Sequence, residues 1–295
     1  MNWMRYRFLY LAISAIVILS GVFSTAKWGF KFGIDFKGGT LYEIKLKKDI
    51  PEEVLSKDIK SLNIEINSVQ RTQSGGYLLR LPSINQEQKV KINESIKKDK
   101  DQELGELRFE SVGPTVGAEL VKKTAYGLLI AAVGILLWVA IQFKSLKFGV
   151  SAILAMLHDS LVTIGTYSLF SHFFGAELDL LFMTALLTIL SFSVHDTIIV
   201  YDRIRESQRK GGEDLYSLAN KAVSETMVRS LNNSFTIMFM LVALVLLGGS
   251  TVHWFAATLL IGTISGAYSS PFVAVPILVT WDQIEKKIKS KRVNF

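Results

Sequence analysis

The sequence contains no cysteine, and charged residues make up only 20% of it. Without cysteine no disulfide can staple any part of the chain, so whatever domain it forms must hold by its core alone. Four scattered histidines without cysteine make a weak case for a metal. The spacings H-E-x-x-H and G-x-S-x-G are absent. No G-K-[ST] occurs, which removes the P-loop and with it direct use of ATP. The chain reads as a protein that is not an enzyme and carries neither metal nor cofactor.

What is present is apolar. Hydrophobic residues make up 49% of the 295 residues, and the mean hydropathy is +0.33. A hydrocarbon layer takes about twenty mostly apolar residues per helix, and it satisfies no backbone hydrogen bond, so such runs must be helices or closed barrels. Long uninterrupted runs, rather than ten-residue alternation, select helices. Six spans are expected, at about 8–28, 124–143, 149–171, 178–201, 228–249 and 254–280. The apolar run of the first, Phe8 to Ala26, exceeds a signal-peptide core and reads as a retained anchor.

The formal charge of +7 does not indicate nucleic acid, because the basic residues flank the apolar runs, where orientation accounts for them. Lys144 and Lys147 lie between spans two and three, and six Lys or Arg residues run from Arg203 to Arg229. The loops His172–Glu177 and Gly248–Trp254 hold none. Both termini are therefore expected in the cytoplasm and residues 29–120 outside. The expected units are 1–28 (terminus and first span), 29–120 (exported, periplasmic), 121–281 (spans two to six, with a cytoplasmic loop at about 202–227) and a basic tail, 282–295. Lys286, Lys287, Lys289, Lys291 and Arg292 of that tail suit a positive-inside role or contact with anionic membrane lipid.

The exported segment reads as α+β. Residues 39–46 alternate as a strand, Pro51 suits the first turn of a helix, and strands near 64–70 and 76–81 flank a turn at Ser74-Gly75-Gly76. A polar helix near 85–100 and a strand near 106–112 complete a βαββαβ order, that of a small ferredoxin-like domain.

Two carboxylates fall within spans, Asp159 in the third and Asp196 in the inner half of the fourth. Each costs at least about 2.5 kcal/mol if charged at a helix centre. Asp196 is read as a proton carrier, whereas Asp159 is either a proton site or a structural anchor. Arg229 opens the fifth span, as a partner or as a snorkelling cation. Thr184, Thr188, Ser191 and His195 form one stripe of span four, about 100° from Asp196, which argues for an interior helix. The neighbours His158 and Asp159 are expected to point apart, and Gly262 and Gly266 to pack against another helix. Asp202, Arg203, Arg205 and Glu206 are expected to form a solvated, charge-paired helix extension.

Five stretches resemble the SecF family of protein-export membrane subunits. They are Gly33-Ile-Asp-Phe-Lys-Gly-Gly-Thr40, Phe109-Glu-Ser-Val-Gly-Pro-Thr-Val-Gly-Ala118, His158-Asp-Ser-Leu-Val-Thr-Ile-Gly165, Ser193-Val-His-Asp-Thr-Ile-Ile-Val-Tyr-Asp-Arg-Ile-Arg-Glu206 and Gly266-Ala-Tyr-Ser-Ser270. The resemblance implies an RND-type half-bundle in the bacterial inner membrane, paired with SecD beside the SecYEG channel. Proton entry would drive exported domains that draw a translocating preprotein outward, with the proton gradient as energy source. It also implies that Asp196 and Arg229 lie on the proton pathway and that Asp159 belongs to a third-span motif. The family commonly has Asn where His195 stands, and Thr and Ser where Asn232 and Asn233 stand, so the pH range of coupling is open. The competing readings are half of another RND-type transporter, for a small molecule or lipid, and a structural scaffold. Asp159 and Asp196 argue against the scaffold.

Overall fold

The structure, a computed structural model, describes residues 2–72, 75–100, 103–143, 145–209, 211 and 213–293. A 3₁₀ turn at Trp3–Tyr6 runs into helix α1, Arg7–Trp28. A short strand β1, Lys31–Phe32, and one helical turn α2, Ile34–Lys37, lead into an α+β domain. Its elements are β2 Gly39–Leu46, α3 Glu52–Ser61, β3 Ser68–Arg71, β4 Tyr77–Leu81, α4 Gln86–Lys100 and β5 Leu104–Val112, in the expected order. They form one antiparallel sheet, ordered β3-β4-β2-β5.

The central place of β2 explains a departure from simple alternation. Only Lys45 of this strand is exposed. Tyr42, Ile44 and Leu46 pack with Leu55, Ile59, Ile92 and Ile96 of the two domain helices. The other face, with Leu41 beside Leu78, Arg80 and Arg108, looks onto the loop that follows the third span. Both faces are thus covered, as for any strand sandwiched between layers. Pro51 sits one residue outside α3, at its N-cap, because its ψ of 138° is extended. Of the expected turn, Ser74 lies outside the described residues, while Gly75 takes a φ of +77°.

The spans follow: α5 Pro114–Phe143, α6 Leu146–Phe174, a two-residue strand β6 Glu177–Leu178, α7 Leu180–Arg209, α8 Leu215–Leu247, α9 Ser250–Ser269 and α10 Val275–Val293. A π-helical turn, Ser270–Ala274, joins α9 to α10, so they act as one span. Pro271 lacks the N–H that would continue an α-helix, which is a sufficient cause for the wider turn. Six helical segments are long and apolar enough to cross a membrane. The interior comes from α6, α7 and the α9–α10 span, whereas α1, α5 and α8 lie mostly at the surface.

Several boundaries move. Helix α5 begins at Pro114, well before the span expected from 124. The loop expected at about 202–227 is almost entirely helical, since α7 continues to Arg209 and α8 begins at Leu215. Arg229 therefore lies well inside α8 rather than at its start. The cause is legible afterwards: Asp214 caps α8 through the Ser217 amide at 3.1 Å, and Leu215, Leu218, Ala219, Ala222 and Val223 form a buried face at helical spacing. Arg203 pairs with Glu206 at 2.7 Å and with Glu225, and Arg205 lies 3.7 Å from Asp202, so the charge-paired extension of α7 is present. The tail is helical to Val293, with Lys286 on Asp282 at 2.9 Å and Lys289 on Glu285 at 2.7 Å. Lys144 lies outside the described residues.

Small residues set the helix spacing. Gly21 of α1 and Gly165 of α6 touch backbone to backbone, and a Cβ at Gly165 would collide with Gly21 Cα. Ser24 Oγ donates to Ser168 Oγ at 3.0 Å one turn further along. We expect Gly165→Val to prise α1 from α6 at a cost of about 1–3 kcal/mol, lowering the melting midpoint of the detergent-purified protein. A Cβ at Gly134 meets nothing within 4 Å, so Gly134→Ala serves as the neutral control. Equal midpoints for both variants would contradict the backbone contact.

Candidate functional site

Asp159 is fully buried on α6. Ser265 Oγ donates to its Oδ1 at 2.6 Å and Ser269 Oγ to its Oδ2 at 2.6 Å, both from α9. Four residues apart, these serines share one helix face. His158 Nδ1 lies 3.0 Å from Asp159 Oδ1, so the two neighbours meet rather than point apart. Although their Cα–Cβ bonds diverge, the imidazole and the carboxylate are long enough to close the angle. His158 Nε2 is buried and has no partner among the described residues.

Asp196 of α7 is also buried, at 9% exposure. It accepts from Ser230 Oγ of α8 at 3.3 Å. Arg229, the residue before that serine, is exposed and forms no ion pair with Asp196. It lines instead a polar cavity of about 700 Å³ with Thr226, Asp202, Arg203, Glu206 and Arg209. The structure thus brings Asp196 to the interior and places Arg229 on a polar cavity, while Ser230, the next residue of α8, makes the contact with Asp196.

His195 is exposed and faces a cleft between α5 and α7, beside Gly134, Trp138 and Ser191. Thr184 and Ser191 are exposed as well. That stripe lies on the outside of this chain's bundle, whereas Asp196, Ser193 and Thr197 of the same helix face in, so α7 is an interior helix as expected. Thr184 and Thr188 satisfy their hydroxyls on their own helix, at Leu180 O and Thr184 O. Of Ser265, Ser269 and Ser230, the sequence reading touches only Ser269, in the small-residue stretch Gly266–Ser270. The i, i+4 spacing of the first two was the available signal, whereas nothing local marks Ser230.

Between the two carboxylates run further hydroxyls. Thr197 Oγ1 and Ser270 Oγ lie 3.0 Å apart, and Ser193 is buried at 1% exposure. These residues sit where α6, α7 and α9 meet.

A second polar cluster clasps the α+β domain to the start of α7. Asp35 Oδ2 accepts from the Leu180 amide at 2.9 Å, and Gly33 N donates to Leu178 O at 2.8 Å. β1 pairs in parallel with β6. Gly38 and Gly39 have φ of +76° and +130°, and a Cβ on Gly39 would press on Leu81 O at 3.0 Å. Gly117 of α5 abuts Phe36 and Gly38, so the first two sequence motifs meet in space. Arg80 pairs with Glu177, whose carboxyl burial holds above the ordinary range despite that cation. Asp179 Oδ1 accepts from the Phe182 amide at 2.8 Å. Burial, with a smaller push from Asp35, raises the Asp179 carboxyl to about 6.

Comparisons with known proteins follow the same lines. The family described as protein export membrane protein SecD/SecF, C-terminal, matches residues 92–284, and the SecD/SecF GG motif matches residues 23–50. The protein translocase subunit SecF of Thermobaculum terrenum is 40% identical, over 94% of this chain and 93% of its own. That of Anaerolinea thermophila is 36% identical, over 99% and 97%. The crystal structure of SecDF, a translocon-associated membrane protein from Thermus thermophilus, matches with a TM-score of 0.83 at 29% identity, over 96% of this chain. SecDF in a super-membrane-facing form matches with a TM-score of 0.71. This chain spans 39% and 40% of the length of those two SecDF chains.

The clasp generates a pH prediction. An Asp179 carboxyl near 6 in the folded protein and near 3.9 unfolded binds its proton more tightly when folded. Its stabilising contribution is complete below about pH 4 and is lost as pH rises through 6. The upper bound is about 2–3 kcal/mol. Asp179→Asn keeps a cap for Phe182 but cannot titrate, so its melting midpoint should lack this fall between pH 4.5 and 7. Parallel profiles for the two proteins would show that Asp179 does not titrate in this window.

Proposed function

The chain belongs to the SecD/SecF family of protein-export membrane proteins, and from that membership and the buried Asp196 we infer a SecF-type translocase subunit driven by protons. The observation that carries the coupling is a carboxylate buried inside the bundle and hydrogen-bonded to Ser230, the residue that follows Arg229 on α8. A charged group there costs at least about 2.5 kcal/mol. A role that needs a group able to gain and lose a proton accounts for its presence, and a packing role does not. Arg229 supplies positive charge in the polar cavity it lines, through which Asp196 exchanges its proton.

Movement follows from the attachment of α7. About 24 Å of helix, at 1.5 Å per residue, separates Asp196 from Leu180. Leu180 is hydrogen-bonded to Asp35 at the base of the α+β domain. A change in charge at Asp196 alters its hold on Ser230 of α8, and any shift of α7 against α8 reaches the domain directly. The sheet order supports a ferredoxin-like class for this domain, and the distribution of basic residues supports its export, residues 29–120 being outside and both termini cytoplasmic. The unequal likeness to two SecDF forms is in keeping with elements that change relative position.

The outward stripe of Thr184, Ser191 and His195, beside the surface helices α5 and α8, is the face we assign to SecD. Polar side chains there are better placed against a partner helix than against lipid. SecYEG and the translocating preprotein are the further partners of this reading, and the proton gradient is its energy source. Relatives named as translocase subunits set aside a small-molecule or lipid transporter half.

Orientation is tested by single cysteines, Ser61→Cys and Ser290→Cys, and an impermeant thiol reagent on intact cells with the outer membrane permeabilised. Ser61→Cys should label and Ser290→Cys should not, and the reverse pattern overturns the topology. Coupling is tested by Asp196→Asn, which keeps size and hydrogen bonding but cannot titrate. In inverted membrane vesicles it should abolish the gradient-dependent part of preprotein translocation at unchanged protein abundance. Gradient-dependent translocation at the wild-type rate would remove Asp196 from the mechanism.

A further inference from the structure

Where the end of β3 meets the spans there is an open cavity of about 500 Å³, large enough to hold a small ligand or part of a larger one. Three helix ends wall it. Phe170 and Phe174 stand in the last two turns of α6, Val245 in the last turn of α8, and Trp254 near the start of α9. The Trp254 ring lies 5.5 Å from that of Phe170 and 6.3 Å from that of Phe174. At the same end of the bundle, Trp28 stacks on His172 at 4.6 Å. Aromatic rings gathered at one end of spanning helices mark the membrane interface, where apolar tails meet headgroups. Val242 and Leu246, on either side of Val245 along α8, are exposed, so the apolar wall continues onto the outside of the bundle.

The domain side of the cavity is polar. Arg71, the last residue of β3, is its one charged lining residue among the described residues. Its Nη2 donates to Tyr77 OH at 3.1 Å and lies 2.8 Å from Asp49 Oδ2. Asp49 is not part of the lining, and with side chains 52% and 71% exposed the ion pair is a weak one. Nε and Nη1 of Arg71 have no partner among the described residues, and a guanidinium donates from all its nitrogens. His253, also in the lining, places Nδ1 3.0 Å from Val245 O and keeps Nε2 for another partner. A cation beside a wall of aromatic and aliphatic side chains complements a phosphate group attached to acyl chains.

We propose that this cavity binds one phospholipid of net negative charge, with its phosphate on Arg71 and its acyl chains along Val245, Trp254 and the exposed face of α8. The lipid then ties the β3 edge of the domain sheet to the spans, at a point separate from the Asp35 clasp. A soluble phosphate would satisfy Arg71 but leave the aromatic wall in water. An apolar stretch of polypeptide would cover the wall but leave the guanidinium without an anion. Only an anionic lipid meets both demands. Because no carboxylate shares the lining with Arg71, a negative headgroup is favoured over a zwitterionic one.

Native mass spectrometry of the delipidated, detergent-purified full chain tests the site, with phosphatidylglycerol or phosphatidylcholine added at equal concentration. One phosphatidylglycerol should be retained in preference. Arg71→Gln should weaken that retention by about tenfold and leave phosphatidylcholine unchanged, whereas Lys287→Gln in the basic tail should change neither. Full retention by Arg71→Gln, with loss in Lys287→Gln or without it, overturns the proposal. Release of the lipid by an equal concentration of glycerol 3-phosphate overturns it as well, since the ligand is then a soluble phosphate. A second measurement leaves Arg71 intact: Phe174→p-benzoylphenylalanine, activated by light in intact cells. Its lipid adducts should be richer in anionic phospholipid than the membrane itself. Lipid adducts of bulk composition, or polypeptide adducts in their place, overturn the proposal. Should Arg71→Gln fail to fold, this measurement decides alone. Neither readout depends on proton coupling, so failure here leaves the reading of Asp196 standing.

Discussion

A carboxylate sealed from water has to be solvated by the protein, and in this chain Asp159 sets that requirement at the centre of the bundle. Two hydroxyls at 2.6 Å and an imidazole nitrogen at 3.0 Å take the place of water around it. To reach it, α9 must present serines at 265 and 269 with little bulk between them, which brings α6, α7 and α9 close together. The same closeness leaves Ile189 filling the place of a side chain at 262. Just past Ser269 the α-helix gives way to the π turn at Ser270–Ala274. The interior of the bundle is therefore arranged around hydroxyls rather than around apolar shape alone.

The same logic operates at the other end of α7. The first amides of a helix have no partners within it, and here Asp35 and Asp179 satisfy those of Leu180 and Phe182. Asp35 comes from the turn that precedes Gly38 and Gly39, so the glycine pair, the domain sheet and the fourth span are joined by one carboxylate. Helix α7 thus carries a titratable group in its interior and the weight of a domain on its tip. Mechanical continuity between the two requires only that the helix stay rigid.

How much of this the sequence disclosed depended on the range of the interactions. The apolar runs and the alternation of 39–46 are local patterns, and they placed six spans and the βαββαβ order. Asp159 and Asp196 stood out because charge is rare in apolar runs. The helical stretch from Leu215 to Arg229 was missed because its charged residues masked the buried face of Leu215, Leu218, Ala219, Ala222 and Val223. The outward facing of Ser191 and His195 could not follow from periodicity, which tells that two faces differ but not which neighbour each meets. The contacts of Asp196 with Ser230 and of Asp35 with Leu180 join residues far apart in the chain, and no spacing rule reaches that distance.

The contact between Gly21 and Gly165 has a consequence for how the protein is made. Its two halves are separated by the whole α+β domain and two spans' worth of chain, which a ribosome adding 5–20 residues per second takes roughly 7–29 s to deliver. Through that interval α1 stands in the bilayer with its glycine and serine face against lipid. The domain meanwhile has time to fold many times over on the scale of small sheets. Assembly of the bundle is then a docking of preformed parts, in which α1 must wait for α6 before it can pair.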